Sequence, residues 1–187
     1  RLDAAVHEQL HRLAHSTLLG LTHPPAIRLA RRLIELAPPG LTRVFFSDNG
    51  STAVEVGLKM AFQHFQQKAA PEPRRTRFVR FRHGYHGDTL GSVSVGGIDL
   101  FHALYRPLLF DAPAAEAPHC YRCPLGKTFP DCRIACLDSL DRILAADGDT
   151  IAAVVVEPVV QGAAGMLVQP PGWLPRVAEA TRRAGAL

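Results

Sequence analysis

Residues 151–158 read Ile151-Ala152-Ala153-Val154-Val155-Val156-Glu157-Pro158: an unbroken apolar run closed by an acid and a proline. The run has strand length. It lacks the polar alternation of a half-exposed strand, so it predicts a strand buried on both faces, as in a parallel sheet between helical layers. Its flanks agree. Leu137, Leu140, Ile143 and Leu144 upstream have helical spacing, and the segment from Trp173 onward is again helical. Phe78 to Phe81 predicts a second strand, and Thr42 to Ser47 (TRVFFS), β-branched and aromatic, a third. Between them Val54, Leu58, Ala61, Phe62 and Phe65 fall on one helical face, and Asp99 to Leu108 predicts a further helix. Strands alternating with helices give an α/β class with a mainly parallel sheet.

The amino-terminal part is helical too. Leu2, Val6, Leu10 and Leu13 share a face, and Ser16 to His23 is a break. Pro24-Pro25 then opens a second helix, with Ala26, Leu29, Leu33 and Leu36 as its predicted inner face and Pro38-Pro39-Gly40 as its stop. Residues 112–133, rich in Pro and Cys, read as loop. No linker or internal repeat divides the chain.

Composition narrows the function classes. The chain has 187 residues, 47% hydrophobic and 20% charged, with 15 Gly, 15 Pro and a net charge of +4, an ordinary globular profile. Collagen, coiled coil and disorder are excluded. Of the 21 basic residues only Lys59, Lys68 and Lys127 are lysines, a bias unlike a nucleic-acid footprint. No apolar run approaches the ~20 residues of a membrane helix, and Arg1-Leu2-Asp3 opens no signal sequence, so a cytoplasmic address is the expectation. The missing initiator Met predicts a piece of something longer.

Five features could carry chemistry. Asp48-Asn49-Gly50-Ser51 lies between a predicted strand and a helix, where free backbone N–H groups, a hydroxyl and a helix dipole suit a phosphate. The plainer alternative is an N-cap, with Ser51 and Glu55 one residue beyond capping-box spacing. Gly84-Tyr85-His86-Gly87-Asp88 follows a strand and offers close backbone approach and a ring for stacking; as a surface turn it would need no ligand. Glu157 stands at the carboxyl end of a buried strand, where α/β ligand sites form, or is simply an ion-paired strand end. Cys120, Cys123, Cys132 and Cys136 have partial zinc-site spacing, against which stands a loop of reduced thiols, the preferred reading in a reducing compartment. Arg74, Arg75, Arg77, Arg80 and Arg82, interleaved with Phe78 and Phe81, would suit an RNA edge, but a strand flanked by solvated arginines explains them as well.

The order of these motifs resembles one family, the class III aminotransferases, pyridoxal-phosphate enzymes of fold type I. The resemblance spans nearly the whole chain and rests on Ser47 to Ala61 (SDNGSTAVEVGLKMA), Tyr85 to Leu90 (YHGDTL) and Glu157 to Gly165 (EPVVQGAAG). Leu21 to Ile27 (LTHPPAI) and Ser92 to Phe101 (SVSVGGIDLF) resemble its biotin-pathway branch more particularly. What the resemblance implies is a three-layer fold-type I large domain, incomplete at both ends, with residues 1–187 forming part of it. It implies a phosphate cup at Gly50 and Ser51, a ring-stacking and substrate-bordering Tyr85, and a carboxylate, Glu157, beside the cofactor. Thr22 and His23 fall near a homodimer interface. The implied reaction moves an amino group from S-adenosylmethionine to 8-amino-7-oxononanoate. The alternatives are an ω-amino acid or diamine transaminase and, from another class, a zinc-stabilised binding module. The family's Schiff-base lysine and the Asp that pairs the pyridine nitrogen have no matching positions here, so no catalytic lysine is assigned among Lys59, Lys68 and Lys127.

Overall fold

A computed structural model describes residues 1–187, which divide into two units, Arg1–Phe46 and Ser47–Leu187. No composition shift in the sequence marks that division. The first unit holds α1 (Leu2–Arg12) and α2 (Pro24–Leu36). Pro24 and Pro25 occupy the first turn of α2, and the His23 imidazole caps it, accepting from the Ala26 N–H at 3.4 Å. The predicted inner face of α2 is not buried: Leu29, Leu33 and Leu36 are exposed, as are Leu2, Val6 and Leu10 of α1 and Leu13 just after it. Thr42 to Ser47 forms no strand. Aromatic and β-branched residues favour extended backbone, but a strand also needs a ladder, and this segment joins neither sheet.

The second unit carries the sheet. Its elements are α3 (Gly50–Gln67), β1 (Arg77–Phe81), α4 (Leu90–Ser94), α5 (Asp99–His102), β2 (Ala114–Ala115), α6 (Asp138–Asp147), β3 (Ile151–Val154), β4 (Val160–Gln161), β5 (Leu167–Val168) and α7 (Trp173–Arg183). The order β2-β1-β3 is parallel throughout, with Arg80 opposite Ala114 and Val79 opposite Val154; β4 and β5 form a separate antiparallel pair. Alternation along the central strand builds the layers. Phe78 packs with Leu58, Ala61 and Phe65 of α3 and with Ala152 and Ala153. Val79 and Phe81 turn the other way, onto Leu140 of α6 and Trp173, Val177 and Ala180 of α7. The expected three-layer α/β arrangement is thus present.

Three local expectations change. Phe62 lies outside the buried stripe of α3. The predicted helix over Asp99 to Leu108 is helical only to His102; Ala103–Leu108 tightens into a 3-10 turn containing Pro107, whose missing N–H cannot continue an α-helix. Within the predicted loop, Ala114–Ala115 pairs with β1 as the short strand β2. No helix is long and apolar enough to cross a membrane.

Arg75 ties the layers together at the sheet's other end. Its buried guanidinium donates to the carbonyls of Gly148 (2.7 Å), Ile151 (2.8 Å) and Ala184 (2.9 Å), pairs with Glu72, and lies over the Phe65 ring. One planar fork therefore caps α7, meets β3 and rests on α3. Glu72, drawn on by Lys68 and Arg75, has its carboxyl held below the usual range. Arg75→Met strands three carbonyls together. It should lower the unfolding free energy of the intact protein by about 3 kcal/mol, measured as a shift in urea midpoint. Arg75→Lys should recover less than half of that, because an ammonium lacks the fork.

Candidate functional site

The predicted site residues gather in the second unit, where the carboxyl ends of β1 and β3 meet the start of α3. The cap of α3 is Asn49, not Ser51. The Asn49 side chain accepts from the Thr52 N–H at 3.0 Å, and the Thr52 hydroxyl accepts from the Asn49 N–H at 3.3 Å, so the two cap each other. The first intrahelical bond is Ala53 N–H to Asn49 at 3.0 Å, which leaves the Gly50 and Ser51 amides without an acceptor. Space above the Gly50 Cα is open. Two free N–H groups at the positive end of a helix 18 residues long can seat an anion.

The turn after β1 folds onto this seat. The Ser51 Oγ accepts from the Asp88 N–H at 3.1 Å, and Glu55 accepts from the Gly91 N–H at 2.7 Å. Because the Ser51 oxygen is the acceptor in the first bond, its own hydrogen stays available for an anion. Gly87 has φ +122°, and a Cβ there would collide with the Ser51 side chain, so only glycine fits this approach. Asp88 does not cap the short helix that follows; Thr89 holds that position. The Asp88 carboxylate instead accepts from the Tyr85 hydroxyl at 2.7 Å, a bond that raises the phenol pKa above its ordinary value.

Glu157 joins the two strand ends. One carboxylate oxygen accepts from the Tyr85 N–H at 2.8 Å and the other from the Gly162 N–H at 2.9 Å. The backbone around it is held in turn by Gln169, which donates to the Glu157 carbonyl at 2.6 Å and accepts from the Val159 N–H at 2.9 Å. Val159 has φ +70°, costly for a β-branched residue, at about 1–3 kcal/mol, and the Gln169 clamp sustains it. Gln161 donates to the Arg82 carbonyl at 3.0 Å and leaves its buried Oε1 without a partner; the His86 Nε2 is likewise buried and unpaired. Burial lowers the His86 pKa, opposed by the nearby Glu157. The neutral imidazole can therefore donate or accept here.

Sequence reading, through the resemblance, had Gly50, Ser51, Tyr85 and Glu157 around one site, and the bonds from Asp88 to Ser51 and from Tyr85 to Glu157 link their segments here. It missed Glu55, Gln161 and Gln169 as positioning groups. Their signal was faint: single polar residues set into apolar or glycine-rich stretches. The four cysteines line one small cavity with Pro118, Phe129 and Ile134, all as free thiols, and burial pushes Cys136 up to about 11. No three His, Cys, Asp or Glu side chains are grouped closely enough to hold a metal ion in this arrangement. The arginine strand is internally engaged: Arg77 pairs with Asp111 and Asp147, and Arg82 with Glu116.

Glu157→Gln replaces one acceptor oxygen by an NH2 that faces an N–H. The Tyr85 and Gly162 amides should then exchange roughly tenfold faster or more in hydrogen-exchange mass spectrometry, while the β1 and β3 amides keep their protection.

The family described as "Aminotransferase class-III" matches residues 1–187. Among curated relatives, the adenosylmethionine-8-amino-7-oxononanoate aminotransferase of Nitratidesulfovibrio vulgaris is 58% identical over 173 residues, 92% of this chain and 32% of its own length. That of Geobacter sulfurreducens is 56% identical over 179 residues, 95% of this chain and 39% of its own length. The chain thus spans about a third to two-fifths of these relatives. Two solved structures cover all of it at a TM-score of 0.87. One is the adenosylmethionine-8-amino-7-oxononanoate aminotransferase of Methanocaldococcus jannaschii, 34% identical, with 39% of its length covered. The other is a PLP-bound amine transaminase from an uncultivated Pseudomonas species, 39% identical, with 42% covered. With a family match running over every residue of the sequence, this chain belongs to the class III aminotransferases.

Proposed function

We propose that this chain forms part of the cofactor-binding large domain of a pyridoxal-phosphate-dependent aminotransferase. We further propose that the whole protein transfers an amino group from S-adenosylmethionine to 8-amino-7-oxononanoate in biotin biosynthesis. The observation that carries the cofactor reading is the start of α3, where capping consumes Asn49 and Thr52, leaves the Gly50 and Ser51 amides and the Ser51 hydroxyl hydrogen without acceptors, and keeps the space at Gly50 open. The unpaired His86 Nε2 and Gln161 Oε1 beside the same turn support a polar ligand there. The residues present fit the group. Gly50 and Ser51 would hold its phosphate, and Tyr85 would offer a face to its ring. When bound, pyridoxal phosphate supplies an electron sink for chemistry at the carbon bearing the amino group.

The chain's own residues then divide the work. Glu157, with both oxygens committed to backbone N–H groups, orders the turn that carries Tyr85 rather than moving protons. Tyr85 has its hydroxyl hydrogen directed to Asp88, so its oxygen presents lone pairs, an acceptor suited to a substrate ammonium group. None of the three lysines stands at this site: Lys59 lies on α3, Lys68 pairs with Glu72, and Lys127 lines the cysteine cavity. The attachment lysine therefore belongs to another part of the protein. The substrate choice draws its support from relatives 56% and 58% identical whose names state that reaction. A homodimer and a cytoplasmic location belong to the same reading. The exposed leucines of α1 and α2 support an apolar partner surface.

Three measurements on the full-length enzyme test this. Ser51→Ala should weaken pyridoxal-phosphate affinity about tenfold, the loss of one charge-assisted bond, and Gly50→Val should weaken it further by filling the approach. Tyr85→Phe should keep cofactor affinity while raising KM for the amine donor, whereas Tyr85→Ala should lose both. With 8-amino-7-oxononanoate as acceptor, S-adenosylmethionine should give 7,8-diaminononanoate by mass spectrometry. Turnover with diamines and ω-amino acids but not with S-adenosylmethionine would replace the biotin reading by the ω-transaminase one.

A further inference from the structure

Tyr85 is held at both ends, and that leaves one freedom. Glu157 fixes its backbone N–H and Asp88 fixes its hydroxyl. The ring turns about the axis running from Cβ to the hydroxyl oxygen, so pinning its ends does not set the plane of the ring. A flat neighbour must do that.

The neighbour is at the end of α5. The His102 imidazole lies 6.5 Å from the Tyr85 ring, centroid to centroid, with the planes 15° apart, an offset parallel arrangement. Phe101 stands edge-on to Tyr85 at 6.5 Å and 79°, and Phe101 and His102 meet at 6.3 Å and 64°, so the three rings brace one another. His102 is 6% exposed, and neither ring nitrogen has a hydrogen-bond partner. Its seat is cut to the ring: a Cβ on Gly96 would stand 2.7 Å from the imidazole Cε1 and 3.1 Å from Nδ1. Two orphaned nitrogens in a buried ring are unfavourable for stability alone and ask for another reason.

We propose that His102 is a positioning residue for Tyr85, its buried imidazole setting the plane of the Tyr85 ring and so the face that ring presents to the cofactor. This rests on the reading of Tyr85 as the cofactor's stacking partner. A flat ring without charge is what the position requires. Burial lowers the pKa of the imidazole, and the nearby charges of Asp88 and Asp99, which favour its charged form, and of Arg80, which opposes it, do not reverse that. A neutral His102 leaves the Asp88 carboxylate to the Tyr85 hydroxyl.

The test uses the full-length holoenzyme and reads cofactor affinity together with the visible circular dichroism of bound pyridoxal phosphate, which reports ring orientation. His102→Leu fills similar space without a plane. It should weaken the cofactor roughly three- to tenfold and diminish the dichroic band, the size expected for one lost aromatic contact. His102→Phe should restore both. Gly96→Ala, which pushes the imidazole from behind, should mimic His102→Leu and serves if the leucine variant does not fold. The proposal is overturned if His102→Leu or Gly96→Ala folds and leaves affinity and dichroism unchanged. It is equally overturned if His102→Phe is as impaired as His102→Leu. Tyr85→Ala separates the two readings. Should it leave the cofactor signal untouched, the stacking role of Tyr85 fails; should it abolish the signal while the His102 variants do not, only the role of His102 fails.

Discussion

The Glu157 carboxylate, with one oxygen on the Tyr85 N–H and the other on the Gly162 N–H, is the contact on which the arrangement of the site depends. Parallel strands end without a hairpin, so the backbone leaving β1 and β3 carries amides that no ladder partner takes. A single acid placed where β3 ends accepts from both departing loops. Each charge-assisted bond of this kind contributes about 1.5–3 kcal/mol, enough to hold a loop that also carries the left-handed Val159. The acid read from sequence as a charge beside a ligand is thus first a structural acceptor. Its effect on chemistry passes through the turn it orders.

The start of α3 has a complementary logic. Helix capping and ligand binding compete for the same orphan N–H groups. Here Asn49 and Thr52 satisfy each other, while the next turn of chain reaches over to use the Ser51 oxygen and the Glu55 carboxylate as acceptors. The Ser51 oxygen and the Glu55 carboxylate are thus engaged as acceptors, while two amides and a hydroxyl hydrogen are left without one. Donors left over at a helix start suit an anion without any lysine or arginine beside them. Tyr85 is placed by the same acceptors, since Asp88, anchored by Ser51, takes its hydroxyl, so the start of α3 and the turn carrying Tyr85 are one connected unit.

Legibility from sequence followed the range of the interaction. The strands Arg77–Phe81 and Ile151–Val154 and the helices flanking them are written in local periodicity, and so was the fold class. Thr42 to Ser47 has the same local signature and fails as a strand, because pairing is a property of two segments and only one was legible. The capping of α3 turned on Asn49 rather than on the Ser51 and Glu55 pattern. Spacing rules count residues along a helix, whereas Ser51 and Glu55 serve backbone groups 37 and 36 residues away. Glu157 reaches Tyr85 across 72 residues and Gln161 reaches Arg82 across 79, and nothing in either segment alone announces the other. Resemblance to a family placed Gly50, Ser51, Tyr85 and Glu157 in one site before any geometry did. The side chains that hold them there needed the coordinates.

The basic stretch around β1 shows how topology decides what a charge pattern means. Arg77, Arg80 and Arg82, set among phenylalanines, have the composition of a nucleic-acid edge. Such an edge requires a free strand or an open face, and β1 is the central strand, bonded by β2 on one side and β3 on the other. Its apolar residues feed both helical layers, which leaves the arginines only the ends and margins of the sheet. There they are consumed by intramolecular acceptors: Asp111 and Asp147 for Arg77, the Ala112 carbonyl for Arg80 and Glu116 for Arg82. Burial of Arg80 lowers its pKa, a cost of lining a sheet margin that a solvated RNA-binding arginine would not bear. The guanidinium fork suits this role where an ammonium would not. It presents several donors in fixed directions to carbonyls and carboxylates at the strand margins, and so turns a row of positive charges into fastenings between the central strand and the segments on either side of it.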